Sequence, residues 1–482
     1  MKTAHTLILA LVISTGMGTP SYAQAPKKKK DPATSLYFTA NGLFNRKLYG
    51  LAAEEFEKFL AKYGTHPKAV NVQFGLSRAY YLMKKYDKAE PLLTKLAANA
   101  NAPHRDLIHL SLGRSRLQLK KIPQAEAAFS AGLKLSKPGD VQASIQKGLL
   151  ETQYAQEKWK EVVATSKLFA NRKDDIGLLG KLRGAQANFH LKQFKEAEAA
   201  FTVLKPMVAK KSYEQEVAYL LAESKRELGD LKGAVTEYEI AARQTKGESA
   251  GEALYKLGWV RFQLEIYDKA AVDFGDYRSK YKEGSLYQLA GIYLGRAHLE
   301  NKAFPKAELV LGNLSKEPKA TAKIFLWQAR VFQRQEKYAE AVKVLTAATT
   351  KFAADPMAPD LLFDLGNNLF GQEKYVDAFK PFTRVIQQYK TFEYVPDAMW
   401  FSAHCLHHEK KFAESNQLCA QYLATHADKS EAADVVFLQA ENLYFLKDHA
   451  KAVPSYQKFI VNYAKHPQVN EAKLRIGQSN YQ

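Results

Sequence analysis

Cysteine is nearly absent: Cys405 and Cys419 are the only two in 482 residues. That scarcity excludes a disulfide-stapled framework and a cysteine-based zinc cluster. Long apolar runs are missing as well. No segment past residue 23 approaches the roughly 18 consecutive apolar residues of a membrane-spanning helix. Catalytic strings are also lacking. There is no phosphate-cradling Gly-x-x-x-x-Gly-Lys, no Gly-x-Ser-x-Gly elbow, no dinucleotide glycine motif and no His-Glu-x-x-His. His408-Glu409 begins the last of these, but Phe412 stands where the second histidine belongs. The chain is therefore read as a non-enzyme that needs no cofactor.

Charge and apolar residues are plentiful. Seventy Lys and Arg against fifty Asp and Glu give a formal charge of +20, which favours anionic partners or surfaces. The composition is 46% hydrophobic, enough for an extensive core. At the N-terminus Lys2 precedes an apolar stretch from Leu7 to Ile13, followed by Gly16, Gly18 and Pro20. Ser21-Tyr22-Ala23 then places small residues where a signal peptidase reads. Residues 1–23 are thus expected to be a signal peptide, and the mature chain to be exported, periplasmic or cell-surface associated. No cysteine follows to carry a lipid. Residues 24–32 hold Lys27-Lys28-Lys29-Lys30 between two prolines and read as a disordered leader. That leader is either a solvated linker or a contact with an anionic envelope surface. Nucleic acid would be drawn by the same charge, but export argues against it as a partner.

A twelve-fold repeat dominates the remainder. A bulky residue, alanine three later and a bulky residue four after that recur every 34 to 37 residues. Examples are Tyr49-Ala52-Phe56, Tyr86-Ala89-Leu93, Phe194-Ala197-Phe201, Tyr267-Ala270-Phe274 and Tyr375-Ala378-Phe382. Two copies are degenerate, Trp159-Val162-Ser166 and Phe412-Ser415-Cys419. Offsets of 0, 3 and 7 share one face of an α-helix, so each motif predicts the buried stripe of a helix B. About nine residues upstream stands a small residue on a helix A, such as Ser77, Gly113, Gly258, Gly295, Gly366, Ala403 or Ala440; Leu150 breaks the series. Small residues on both helices allow close antiparallel approach, and each hairpin buries its faces by stacking on the next. Cys405 and Cys419 fall at packing positions, which suits buried free thiols better than a disulfide.

The pattern resembles the tetratricopeptide repeat, with Leu112-Gly113, Leu257-Gly258, Leu294-Gly295 and Leu365-Gly366 matching its helix-A signature. The resemblance implies an all-α, right-handed α-α superhelix of about twelve hairpins over residues 33–482. Leu474-Arg475-Ile476-Gly477 opens a partial thirteenth, either a capping helix or the start of a further repeat. The loops Lys62-Tyr63-Gly64-Thr65-His66-Pro67 and Asn462-Tyr463-Ala464-Lys465-His466-Pro467 resemble those of bacterial envelope members, of the barrel-assembly lipoprotein and Tol-associated cell-division coordinator types. The lack of a lipidation cysteine and the larger number of repeats depart from the first type.

In that family, ligands lie in the groove lined by helix A. The resemblance carries the groove onto Phe74, Arg78, Tyr81, Arg114, Tyr255, Trp259, Phe262, Arg296, Arg330, Phe363, Asn367, Phe370, Trp400 and Tyr444, with Ile292, Leu326 and Phe437 in the same line. Aromatics supply apolar area and guanidinium groups bind carboxylates bidentately, a combination suited to peptides. The implied function is a scaffold for partner proteins or peptides, serving envelope assembly or secretion. Lysines recur at the turns between helices, from Lys47 to Lys447. Aligned by stacking, they would form a basic ridge for anionic glycans, the alternative function. A minor candidate is a metal site: His404 and His408 lie one turn apart, and Glu441 occupies the equivalent of His404 one repeat on. Protein purified from its own cells should begin at Gln24. An intact mass that retains residues 1–23 would contradict the cleavage site.

Overall fold

The computed structural model describes residues 31–210, 212–243 and 248–481, with the backbone alone at 248 and 249. The expected signal peptide and nearly all of the leader lie outside the described residues. At the edge, Asp31 caps the first helix through the Ala33 and Thr34 amides, and Pro32 fills its first position, where a missing N–H costs nothing. Among the described residues there are twenty-five α-helices, one 3-10 turn and no strand.

The helices alternate as A and B, and every helix B begins at the first residue of its motif: Tyr49, Tyr86, Ile122, Trp159 and so on to His449. The residue three later is fully buried in all twelve copies, from Ala52 to Ala452, with Val162 and Ser415 included. Seven positions on, the side chain is at most 1% exposed in eleven copies. The twelfth, Ser166, ends its helix; the 3-10 turn Lys167–Phe169 follows and inserts a fully buried Phe169 in its place.

A hydrogen-bond motif repeats at each A–B turn. In the second, Lys84 has φ 61°, its N–H bonds to the Tyr81 carbonyl at 3.0 Å, and the Lys85 N–H reaches Tyr80 at 2.8 Å. This pair of bonds satisfies the orphan carbonyls at the end of helix A. The same left-handed residue occurs at Lys47, Lys120, Glu157, Lys192, Glu265, Lys302, Glu336, Glu373, Lys410 and Lys447, and only once as glycine, Gly229. Long unbranched side chains projecting into solvent tolerate this geometry at a cost of about 1 kcal/mol.

The chain divides into two compact units, residues 1–183 and 184–482. Repeats 1–4 lie in the first, and repeats 6–12 with the last helix (Val469–Tyr481) in the second. Helix A of repeat 5 (Asp175–His190) carries the division. Within the first unit, and from repeat 7 onward in the second, successive A helices approach one another closely, whereas successive B helices do not approach as closely. In each stack the A helices therefore line the shorter side.

Two glycines at one register position separate packing from propensity. A methyl on Gly366 would sit 2.6 Å from the Phe382 ring, whereas one on Gly477 would meet nothing within 4 Å. Gly366→Ala should therefore destabilise its repeat by about 1–3 kcal/mol through overpacking. Gly477→Ala in this 482-residue chain should stabilise the last helix by about 1 kcal/mol, the propensity difference in a helix interior. Native-state amide exchange of the two segments reads both effects, and equal signs would refute the packing account.

Candidate partner-binding face

The resemblance places the binding surface on the helix-A side, and the residues there sort by position relative to the small residue of each helix. The position three before it turns onto the hairpin's own helix B. Tyr255 is 6% exposed against Phe274 and Tyr277, and Phe437 is 7% exposed against Tyr456 and Phe459. Ile292 and Leu326 are buried at the same position. Phe262, four after the small residue, is buried too. These expected groove residues are buried packing residues, because that arc of helix A faces its own helix B and, for Phe262, also Tyr293 of the next helix A. Phe363 is half-buried and stacks on Tyr394, with ring centroids 5.3 Å apart. Trp259 packs among the clusters of repeats 6 to 8. Phe370 meets Tyr375 and Phe401, Tyr81 meets Tyr86, and Tyr444 bonds Gln478 at 3.2 Å beneath Arg475.

The chemistry concentrates one residue after the small position, where the side chain points along the stack towards the position two before the small residue of the next helix A. Four pairs of opposite charge use this register. They are Glu151–Arg183 at 3.0 Å, Glu223–Lys256 at 3.2 Å, Arg330–Asp364 at 2.7 Å and Glu441–Arg475 at 2.9 Å. The polarity runs both ways, so the register provides for compensation rather than for one sign. Burial raises the Asp364 carboxyl above its usual value, against the hydrogen bond and charge of Arg330. Arg330 therefore serves its neighbouring repeat. Sequence reasoning missed Asp364, Tyr293 and Trp327, although opposite charges 32 to 34 residues apart were visible in the sequence.

Three arginines in this register have no carboxylate, two in the first unit and one in the second. Where Arg330 finds Asp364, Arg296 finds Trp327, with the guanidinium 4.2 Å from the indole centroid. It also lies 4.8 Å from Phe262 and 4.9 Å from Tyr293. Its Nε is buried without a hydrogen-bond partner. Arg78 rests on Phe44 at 5.0 Å and on Phe74 at 5.9 Å, and the register place opposite it is Ser111. Arg114 is exposed and faces Gly148 in register.

Further along, the same column holds Asn367 and His404, and their Oδ1 and Nε2 atoms are buried and unpaired, as is Trp400 Nε1. His404 lies 4.6 Å from Trp400 between ring centroids, and His408 stacks on Tyr375 at 4.2 Å. Glu441 does not join them: Arg475 and the Tyr456 hydroxyl hold its carboxylate. Among the described residues no three His, Cys, Asp or Glu side chains form a group able to hold a metal, so the candidate trio is not brought together. His407 instead points its Nδ1 at Asn442 Oδ1, 2.8 Å away.

The turn edge is less basic than expected. Glu157, Glu265, Glu336 and Glu373 take the left-handed position that lysine takes elsewhere. Lys121, Lys158 and Lys337, one residue on, pair with Glu90, Glu126 and Glu308 of the preceding helix B. No helix among the described residues is long and apolar enough to cross a membrane.

Burial, with the charges of His407 and His408 adding to it, pushes the His404 imidazole down to about 4. His404 should therefore stay neutral across the physiological range. Between pH 6.5 and 4 the unfolded chain binds a proton that the folded chain refuses, so this group's contribution to stability is full above 6.5 and declines as pH falls through that window. Imidazole proton chemical shifts should give a midpoint near 4 for His404; a midpoint near 6.5 would contradict its burial.

Family models of the tetratricopeptide repeat match residues 39–104, 219–278 and 327–391, and a second such model matches 434–466. No curated protein sequence matches the chain. Solved structures that align with it include the APC/C hetero-tetramer Cut9-Hcn1, at 13% identity and TM-score 0.35, covering 93% of this chain and 96% of that one. Another is a tetratricopeptide repeat protein from Parabacteroides merdae, at 13% identity and TM-score 0.38, covering 54% and 98%. Yeast Tom70 aligns at 14% identity and TM-score 0.33, covering 93% and 96%.

Proposed function

We propose that this chain, which carries tetratricopeptide repeats, is an exported scaffold that holds partner proteins or peptides on its helix-A side and serves envelope assembly or secretion. Repeat stacks of this kind present long surfaces rather than clefts, and binding function rests on the side chains they display. The observation that carries the reading is the uneven treatment of one register position within the two units. Charges there are compensated within the chain four times, while Arg78, Arg114 and Arg296 carry no carboxylate. Ring-backed guanidinium groups are frequent anchors of protein interfaces. The glycan alternative relied on the basic leader and a lysine ridge, and four glutamates interrupt that ridge.

Capture from the source envelope extract tests the proposal. Mature chain from Gln24 would be compared with an Arg78→Ala, Arg114→Ala, Arg296→Met variant, which removes only arginines that hold no carboxylate. Protein partners should survive a high-salt wash on the parent chain, because desolvated contacts are poorly screened, and fall at least about tenfold on the variant. Capture of glycan alone, lost in salt and indifferent to the variant, would overturn it.

A further inference from the structure

We infer that the ring-walled guanidinium of Arg296 is a receptor for a carboxylate on a polypeptide partner, an acidic side chain flanked by apolar residues. The inference rests on the helix-A side being the binding surface and names what that surface selects. Its first ground is an unmet requirement for charge compensation. A guanidinium partly withdrawn from water is costly unless an anion accompanies it. The register that supplies Asp364 to Arg330 supplies an indole to Arg296. Glu300, on the same helix, is already paired with Arg334.

Geometry gives the second ground. Phe262, Tyr293 and Trp327 surround the guanidinium, and its Nε is sealed from solvent without an acceptor. The two Nη groups are not so buried and make no hydrogen bond within the protein. They present the paired N–H edge that takes both oxygens of a carboxylate in parallel bonds. The ring walls lower the local dielectric, which strengthens such a pair relative to one at an open surface. They also offer apolar area to the residues on either side of the acid. A sugar would use the rings but not the paired N–H edge, whereas a carboxylate with apolar neighbours uses both.

A random peptide library displayed on phage and panned on the full chain tests this. Selected peptides should share one Asp or Glu beside apolar residues. Replacing that acid by its amide in a synthetic copy should weaken binding to the parent chain by about tenfold or more, the scale of a charge-assisted bidentate contact. The same replacement should be silent on Arg296→Met, whose thermal midpoint should equal or exceed the parent's because an uncompensated charge has gone. Arg296→Lys supplies a second arm should the Met variant fold poorly: it keeps the charge but loses the fork, so the acid-to-amide effect should shrink at least threefold. An equal acid-to-amide effect on parent and variants would overturn the assignment of Arg296 while leaving the binding surface standing. Failure of the parent chain to select any peptide would overturn both.

Discussion

The close fit between a small residue on helix A and the buried side chain seven positions into helix B is the constraint from which the rest of the structure follows. Because the residue three into each motif is fully buried, and the one seven in nearly so in eleven of the twelve copies, the bulky side chain of helix B can seat only where helix A offers a small residue, as Phe382 does on Gly366. That requirement fixes helix register to the residue, so the same side-chain positions recur at the same places in every repeat. A stack built this way converts sequence periodicity into columns along its shorter side. Columns are what permit a charge in one repeat to find its counterpart in the next.

Departures from the apolar rule are matched by polar partners, which is why they are tolerated. Where the seventh position is tyrosine rather than phenylalanine, in Tyr238 and Tyr456, helix A bears a glutamate fifteen residues earlier, and the buried hydroxyl donates to it. Burial works against the Glu223 carboxylate, but hydrogen bonds from Tyr238 and Arg226 and the charge of Lys256 outweigh it and hold its pKa below the usual value. The degenerate copy at Phe412 follows the same logic. Ser415 replaces alanine, donates to the Ala403 carbonyl at 2.8 Å and accepts from Asn442 at 2.8 Å, and Asn442 in turn receives His407. A buried polar group costs about 1–3 kcal/mol when unpaired, so serine there is acceptable only because the next helix A offers asparagine. Cys405 and Cys419 are buried free thiols beside this network.

Much of the fold was legible because its period is covalent: the start of each helix B, the buried stripe and the turn could be counted along the chain. The binding surface was less legible, for a geometric reason. Offsets within one helix decide which residues share a face, but not how far that face turns towards its own partner helix. Tyr255 and Phe437 share a face with genuine surface positions, yet the close A–B approach buries them. The position two before the small residue went unread because its partner lies a full repeat away, as Asp364 does from Arg330. Glutamates at the turns were overlooked because lysine is the commoner occupant, and left-handed backbone there is demanded by hydrogen bonding rather than by residue type.

The column therefore separates what the chain does for itself from what it leaves available. A charge that meets its opposite one repeat on has a structural explanation, and removing Lys256, Arg330 or Arg475 would leave a buried carboxylate without that partner, which is destabilising. A charge in the same register with no counterpart has no such explanation. Stability alone would favour an apolar side chain between Phe262, Tyr293 and Trp327, since burying those rings together needs no cation. The guanidinium of Arg296 has the ring faces but not the carboxylate that Arg330 finds one repeat on. A stack with every column satisfied internally would be a spacer; the unmatched arginines are what the proposed binding surface rests on.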